Sequence, residues 1–398
     1  MSKKIYIISQ SYSENKGSFS GVIEEFAKYT SLRGYKVIIL CGKIKNQPKF
    51  EKLPYAEVHR FSTAKALTFR NVFEAFSLSK KIKKYFRKNP PSPDDLIITN
   101  GEASLGVINK KFLLRAGDQP AFTFLRNMEL AKEEVSIVSR IARAIHLTLQ
   151  FFMELFYVKK ASAIIFSSEE SRNLFVKHYK VESKPYFIPR SGVKIKNLKK
   201  GKRLPLGSGR KLLFISLYRE RIRKGVMYLE KVLPEIFKKY DDLKLIHIGE
   251  KFPWNVPDWC KERIISVGRV PWSEMKDYYA TADILVNCSL NEGFPNTLLE
   301  AMAAETPIVT SDINGIQEYL THLKEGYIYR RGDPEALKRG ISYMLDHPKE
   351  REKMAKAAKQ KVKPLDYENY SEKLLKFLEK MKSQENLESV NLLKEMLC

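Results

Sequence analysis

Short apolar runs alternate with amphipathic stretches along nearly the whole chain. Residues 4–9 (KIYIIS) form an apolar run, followed by a Gly/Ser stretch, SENKGSFSG (13–21). A helical pattern comes next, with Val22, Ile23, Phe26 and Tyr29 on one face. Gly34 is placed to stop that helix before a second strand, KVIIL (36–40). Further strand candidates are 95–99 (DLIIT), 121–125 (AFTFL) and 163–166 (AIIF). A second alternating series begins at 211: KLLFIS (211–216), LKLIHIG (243–249), RIISVG (263–268), DILVNCS (283–289), PIVTS (307–311) and YIYR (327–330). Within it, a helix from about 225 carries Val226, Leu229, Val232, Leu233, Ile236 and Phe237 at three/four spacing. The tail from Asp366 reads as a helix with Tyr367, Tyr370, Leu374 and Leu378 on one stripe.

Alternating strands and helices in two blocks predict two parallel-sheet α/β domains. Between them, KIKNLKKGKRLPLGSGRK (194–211) holds eight Lys/Arg with Gly, Ser and Pro and few apolar groups, the composition of an interdomain linker. The expected division is residues 1–200, residues 201–365, and a C-terminal helix over 366–398 packing back on the first domain. In doubly wound sheets ligands bind outside the carboxyl ends of the strands, so the loops after strands are where chemistry belongs.

The composition is ordinary globular material, 398 residues and 43% hydrophobic, but the net charge of +25 is not. Such a balance attracts polyanions: nucleic acid, an anionic membrane face or a phosphate-bearing substrate. No aromatic/basic interleave of the single-strand-binding kind and no helix-turn-helix pattern is present, which argues against nucleic acid. The four cysteines are scattered, with no CxxC or Cys/His spacing, so a metal site is not expected and free thiols fit a reducing cytosol. The amino-terminal run is too short and strand-like for a signal peptide, and no stretch reaches about 20 apolar residues. A cytoplasmic protein is expected, with peripheral contact to the inner membrane face as a further reading. That reading comes from the basic clusters, including KKIKKYFR (80–87), and from residues 135–160, strongly apolar with interspersed Arg and Lys. The alternative for 135–160 is a long core helix; a buried stripe beside a basic rim satisfies both.

One stretch of the second block carries candidate chemistry. In NEGFPNTLLEAMAAETPIV (291–309) a strand ends, Asn291, Glu292 and Gly293 turn, and Pro295 suits a first helical position. Free N–H groups at such a helix start, with a glycine turn before them, suit a phosphate. Glu292 precedes the helix and Glu300 lies in its second turn, among Leu298, Leu299 and Met302, where a carboxylate is costly without a partner. Eight helical residues rise about 12 Å, the reach of a sugar diphosphate plus ribose. The plain alternative is a strand–turn–helix with one exposed and one half-buried glutamate.

The block SLNEGFPNTLLEAMAAETPIVTSDINGIQEYL (289–320) resembles the retaining glycosyltransferases of the GT-B fold, family 4 (glycosyl transferases group 1). Glu292, Gly293, Phe294, Pro295, Glu300, Ala301, Met302 and Ala303 match the signature of that family, as do Pro307, Gly315 and Glu318. YYATADILVN (278–287) resembles its strand entry. The resemblance implies two Rossmann-like domains facing a cleft, with the first binding acceptor and the second binding donor. It implies a sugar transferred from a nucleotide-sugar, a UDP- or GDP-sugar being expected, with retention and with no metal or other cofactor. Glu292 would contact the donor sugar near the reacting carbon and Glu300 the ribose hydroxyls. Gly293, Phe294, Pro295, Asn296 and Thr297 would meet sugar and phosphate through their backbone.

No DxD occurs in the chain, so cations of the protein are expected to stabilise the leaving diphosphate. FISLYRERIRKGVMYL (214–229) resembles the family's Arg, four residues, Lys-Gly, with Arg219 and Lys224 in those places. Arg221 and Arg223 are alternatives for the arginine, because the usual Gly-Arg pair is replaced by Ser216 and Leu217. In the first domain Gly17 and Gly21, read as a loop before the first helix, resemble the family's glycine loop; a flexible turn explains them equally. Arg126 replaces the histidine of many members, leaving Arg126 and Asn127 as acceptor- or phosphate-side candidates. Glu305 stands where glycine commonly ends the helix, and a left-handed backbone there would cost about 1 kcal/mol. The expected acceptor is a glycan or a lipid-linked precursor of a cell-surface glycan. The competing readings are a catalytically degenerate GT-B scaffold and another GT-B enzyme such as a nucleotide-sugar epimerase.

Overall fold

The computed structural model describes residues 3–13, 18–44, 46–63, 70–116, 137–189, 192–198, 201–217, 221–250, 252–292, 296–313 and 315–383. They form two compact units. The first holds the described residues up to 116, those from 137 to 189, and those from 367; the second runs from 192 to 366. The division therefore falls before the basic stretch at 194–211. Val193, Ile195 and Leu198 are buried in the second unit, and Val193 N–H donates to Leu365 O at 2.9 Å.

Among the described residues of the first unit eight strands form one sheet: β1 (Lys4–Ser11), β2 (Lys36–Gly42), β3 (Phe50–Leu53), β4 (Ala56–Phe61), β5 (Leu96–Asn100), β6 (Leu113–Arg115), β7 (Ala163–Ile165) and β8 (Tyr186–Phe187). Their order is β3-β4-β2-β1-β5-β6-β7-β8, parallel except for β3 against β4. β1 is central and apolar because both its faces are covered: Ile5 pairs with Val37 and Leu96, and Ile5, Tyr6 and Ile8 are essentially inaccessible. The helices are α1 (Ser18–Ser31), α2 (Arg70–Lys88), α3 (Ile137–Lys160) and α4 (Glu169–Tyr179). The hairpin β3–β4 and strands β6 and β8 go beyond the strands read from the sequence, and the strand expected at 121–125 lies outside the described residues.

The second unit has β9 (Lys211–Ser216), β10 (Lys244–Gly249), β11 (Ile264–Gly268), β12 (Ile284–Asn287), β13 (Ile308–Ser311) and β14 (Tyr327–Tyr329). All are parallel, in the order β11-β10-β9-β12-β13-β14. Numbered within the unit this is 3-2-1-4-5-6, the doubly wound order, and the connections reverse between β9 and β12. Its helices are α5 (Ile195–Leu198), α6 (Val226–Lys239), α7 (Asp258–Lys261), α8 (Met275–Thr281), α9 (Asn296–Ala303), α10 (Pro334–Asp346) and α11 (Pro348–Val362). α6 and α10 cover one face of the sheet through Leu229, Leu233, Leu337 and Ile341, and α8 and α9 cover the other through Tyr279, Leu298 and Met302.

The last described element is α12 (Tyr367–Ser383), which packs on α1 in the first unit. Tyr370, Leu374, Leu375 and Leu378 are buried with Val22, Ile23 and Phe26, and Phe377 stacks on Phe187 at 5.0 Å. Among the described residues no helix is long and apolar enough to cross a membrane.

Candidate active site

The candidate residues of the second unit gather where its strand order reverses. β9 and β12 are neighbours, so the loops following them are brought side by side. Gly225, which closes the loop after β9, has φ 62°, and a Cβ there would stand 2.0 Å from Cys288 O. Only glycine allows both the left-handed backbone and this approach. The two loops are then laced together: Leu290 N–H donates to Arg223 O at 2.8 Å, and Arg223 Nη1 donates to Asn291 O at 3.2 Å.

This lacing sets a carboxylate against two cations. Lys224 Nζ lies 2.5 Å from Glu292 Oε1, and Arg223 Nη1 lies 2.9 Å from the same oxygen. Ser289 Oγ is 3.1 Å from it and 2.8 Å from Asn287 Oδ1, so its one hydrogen serves one of the two at a time. Asn287 in turn donates to Thr310 Oγ1 at 3.1 Å, and Ser311 Oγ donates to Ser289 O at 2.6 Å, which anchors the loop to β13. Glu292 is buried. Burial alone would raise its pKa, but Lys224 and then Arg223 outweigh it, and the carboxyl is held below its ordinary range. Arg221 is committed elsewhere, in a two-pronged pair with the buried Glu230 at 2.9 and 2.5 Å. Of the two alternatives to Arg219, only Arg223 reaches the carboxylate.

Glu300 is also buried, on α9, but its surroundings differ. Trp272 Nε1 donates to Oε1 at 2.9 Å and Tyr279 Oη donates to Oε2 at 2.7 Å. Among the described residues no cation pairs with it, so burial raises its pKa and the two hydrogen bonds only partly offset that. Asn296 and Thr297, the first two residues of α9, are half-buried. α9 is described from Asn296, and the rise expected between Glu292 and Glu300 runs across residues 293–295, which lie outside the described residues.

Gly21 is not in a loop as expected. α1 starts at Ser18, so Gly21 is its fourth residue, and a Cβ there would make only an ordinary 3.6 Å contact with Tyr367 Oη. The apolar stripe of Val22, Ile23 and Phe26 draws the turn before it into the helix. Gly17, Arg126, Asn127, Arg219, Gly293, Phe294 and Pro295 lie outside the described residues. The sequence reading did not find Arg223, Ser289, Trp272 or Tyr279 as partners of the two glutamates. Tyr279 lay in a stretch already singled out, and an apolar helix with one buried Glu calls for donors of this kind nearby.

Residues 202–361 match the family described as Glycosyl transferases group 1. A phosphatidyl-myo-inositol mannosyltransferase of Mycobacterium leprae is 28% identical over 177 residues, 43% of this chain and 46% of that protein. The chain spans less than half the length of this relative, and likewise of an uncharacterized glycosyltransferase of Methanocaldococcus jannaschii that it matches. Among solved structures, sucrose-phosphate synthase of Thermosynechococcus elongatus superimposes with a TM-score of 0.76 at 16% identity, over 96% of this chain and 99% of that one. HepE of Anabaena, solved with UDP-glucose, gives 0.65 at 14% identity, over 95% and 99%. The chain has the GT-B fold, two Rossmann-like parallel-sheet units, and residues 202–361 of the second are similar to the glycosyl transferases group 1 family.

Proposed function

We propose that the protein transfers a sugar from a nucleotide-sugar to a glycan or lipid-linked acceptor, with retention at the anomeric carbon and without a divalent metal. The observation that carries this reading is the buried Glu292 carboxylate held against Lys224 and Arg223 at the reversal point of the second sheet. A nucleotide-sugar leaves behind a diphosphate whose growing charge needs fixed cations. Lys224 and Arg223 supply them, and in the resting site they are balanced by Glu292. Donor binding trades part of that pairing for the diphosphate and leaves the ionised Glu292 beside the sugar. The amides at the start of α9 take phosphate oxygens. Glu300 uses its remaining lone pairs for ribose hydroxyls, with Trp272 and Tyr279 fixing its orientation. Attack from the face the diphosphate leaves lets a leaving oxygen take the acceptor proton. HepE of Anabaena, solved with UDP-glucose, supports a nucleotide-sugar donor, here a UDP- or GDP-sugar. The acceptor belongs to surface-glycan assembly, at an anionic cytoplasmic membrane face.

The test is turnover of UDP- and GDP-sugars, followed as nucleotide release with EDTA present throughout. One donor is expected to be consumed, and Lys224→Ala to lower kcat about 10²–10³-fold. Proton NMR of the product is expected to show the donor's anomeric configuration. Release of an epimerised sugar, or no turnover and no binding of any nucleotide-sugar, would replace this reading with the epimerase or the scaffold.

A further inference from the structure

Helix α3 of the first unit has two apolar faces. Leu147, Met153, Tyr157 and Val158 are buried on one side, the last three within the core beneath the helix. On the other side Ile141, Ile145, Leu149, Phe152 and Phe156 are 44–61% exposed. Their three/four spacing places all five on one stripe along the helix. Single exposed apolar side chains are ordinary on a protein surface, but a contiguous row marks a surface that something covers.

The charge beside the row identifies what covers it. The stripe runs directly into Lys159 and Lys160, both exposed. α2 packs on the same sheet face, and both helices rest against the turn Gly101–Gly106. Its outer row has the same order of composition: exposed Phe73 and Phe76, then exposed Lys80, Lys83, Lys84 and Arg87. The two helices together contain eleven Lys or Arg and two Glu, of which Glu154 is buried. A second copy of this face would set like charge against like charge. An anionic leaflet meets both demands, since acyl chains take the apolar row and headgroups take the cations.

We propose that the outer faces of α3 and α2 dock the protein on an anionic lipid bilayer. Ile141, Ile145, Leu149, Phe152 and Phe156 enter the interface, and Lys80, Lys83, Lys84, Arg87, Lys159 and Lys160 hold the headgroups. α3 lies on the membrane and does not cross it. Gln150 of the same helix donates to Glu102 at 2.8 Å, on the turn following β5, so the docked face adjoins the carboxyl end of the first sheet. The inference deepens the membrane-face part of the proposed function and rests on it only there; because it is measured without substrate, its failure leaves the sugar-transfer reading standing.

The experiment is sedimentation of the full chain with vesicles of phosphatidylglycerol and phosphatidylcholine, and of phosphatidylcholine alone, at salt of about 0.05 and 0.5 M. Binding is expected on the anionic vesicles, about tenfold weaker on neutral ones and at high salt. Ile145→Ser/Phe152→Ser/Phe156→Ser is expected to weaken it about tenfold with the melting temperature unchanged. Should that variant unfold, Phe152→Trp decides: quenching by bromine-labelled acyl chains must exceed that of the three native tryptophans. No binding, binding indifferent to the triple substitution in a folded variant, or no added quenching would overturn the proposal. So would a dimer that the triple variant abolishes while vesicle binding persists.

Discussion

Glu292 and Glu300 are both buried carboxylates, yet their protons respond to opposite forces. Lys224 and Arg223 hold the Glu292 carboxyl down, so that group contributes stability above the unfolded pKa of about 4.3, and the contribution is lost as pH falls. Burial holds Glu300 up, so its contribution is complete below about pH 4.3 and is lost as pH rises through the folded value. Glu300→Gln cannot titrate. Its stability relative to the native protein should therefore improve between pH 4 and 7, as read by urea unfolding at each pH. A gap that stays constant with pH would show that Glu300 is not the titrating group. The glutamates themselves were legible in the sequence because their types and spacing are unusual for a strand–turn–helix. Their partners were not. Trp272 and Tyr279 reach Glu300 from 28 and 21 residues away, and nothing local marks such a contact.

At the scale of elements, the long strands and helices follow from period alone, while elements with a broken period escape it. β4 alternates buried and half-buried positions, but one inward position is Arg60, paired with Glu51 at 2.7 Å, and that interrupts the apolar signal. β6 and β8 have three and two residues, too few to show a period. The end of α9 was readable. Glu305 has φ 62°, with Thr306 N–H donating to Ala301 O at 2.8 Å and Glu305 N–H to Met302 O at 3.1 Å. This is a Schellman ending with a side chain where glycine is favoured. Glu305→Gly relieves about 1 kcal/mol of left-handed strain and gives up a half-exposed ion pair with Lys359 worth a few tenths of a kcal/mol. A net stabilisation of about 0.5 kcal/mol is expected by chemical denaturation. Destabilisation would mean that the ion pair outweighs the strain.

For the whole molecule, two-block alternation revealed the two sheets, but charge alone misplaced the boundary. The basic stretch at 194–211 looked like a linker, yet apolar Val193, Ile195 and Leu198 beside it belong to the second core. The C-terminal helix is the counterpart in the first unit, because its apolar stripe completes a core built from the chain's beginning. Leu378 is fully buried there. Leu378→Ala should cost the first unit about 2–5 kcal/mol and leave the unfolding of the second unit in place, resolved by hydrogen exchange of each unit. Equal loss of protection in both units would contradict that division.

The same helix orders events during synthesis. The first unit's early strands leave the ribosome with Val22, Ile23 and Phe26 still lacking their cover, since α12 is made long after β8. At about 5–20 residues per second, roughly ten to forty seconds pass between the emergence of β8 and that of α12. Throughout that interval the nascent chain carries an open apolar groove, a binding surface for a chaperone that the finished protein no longer displays.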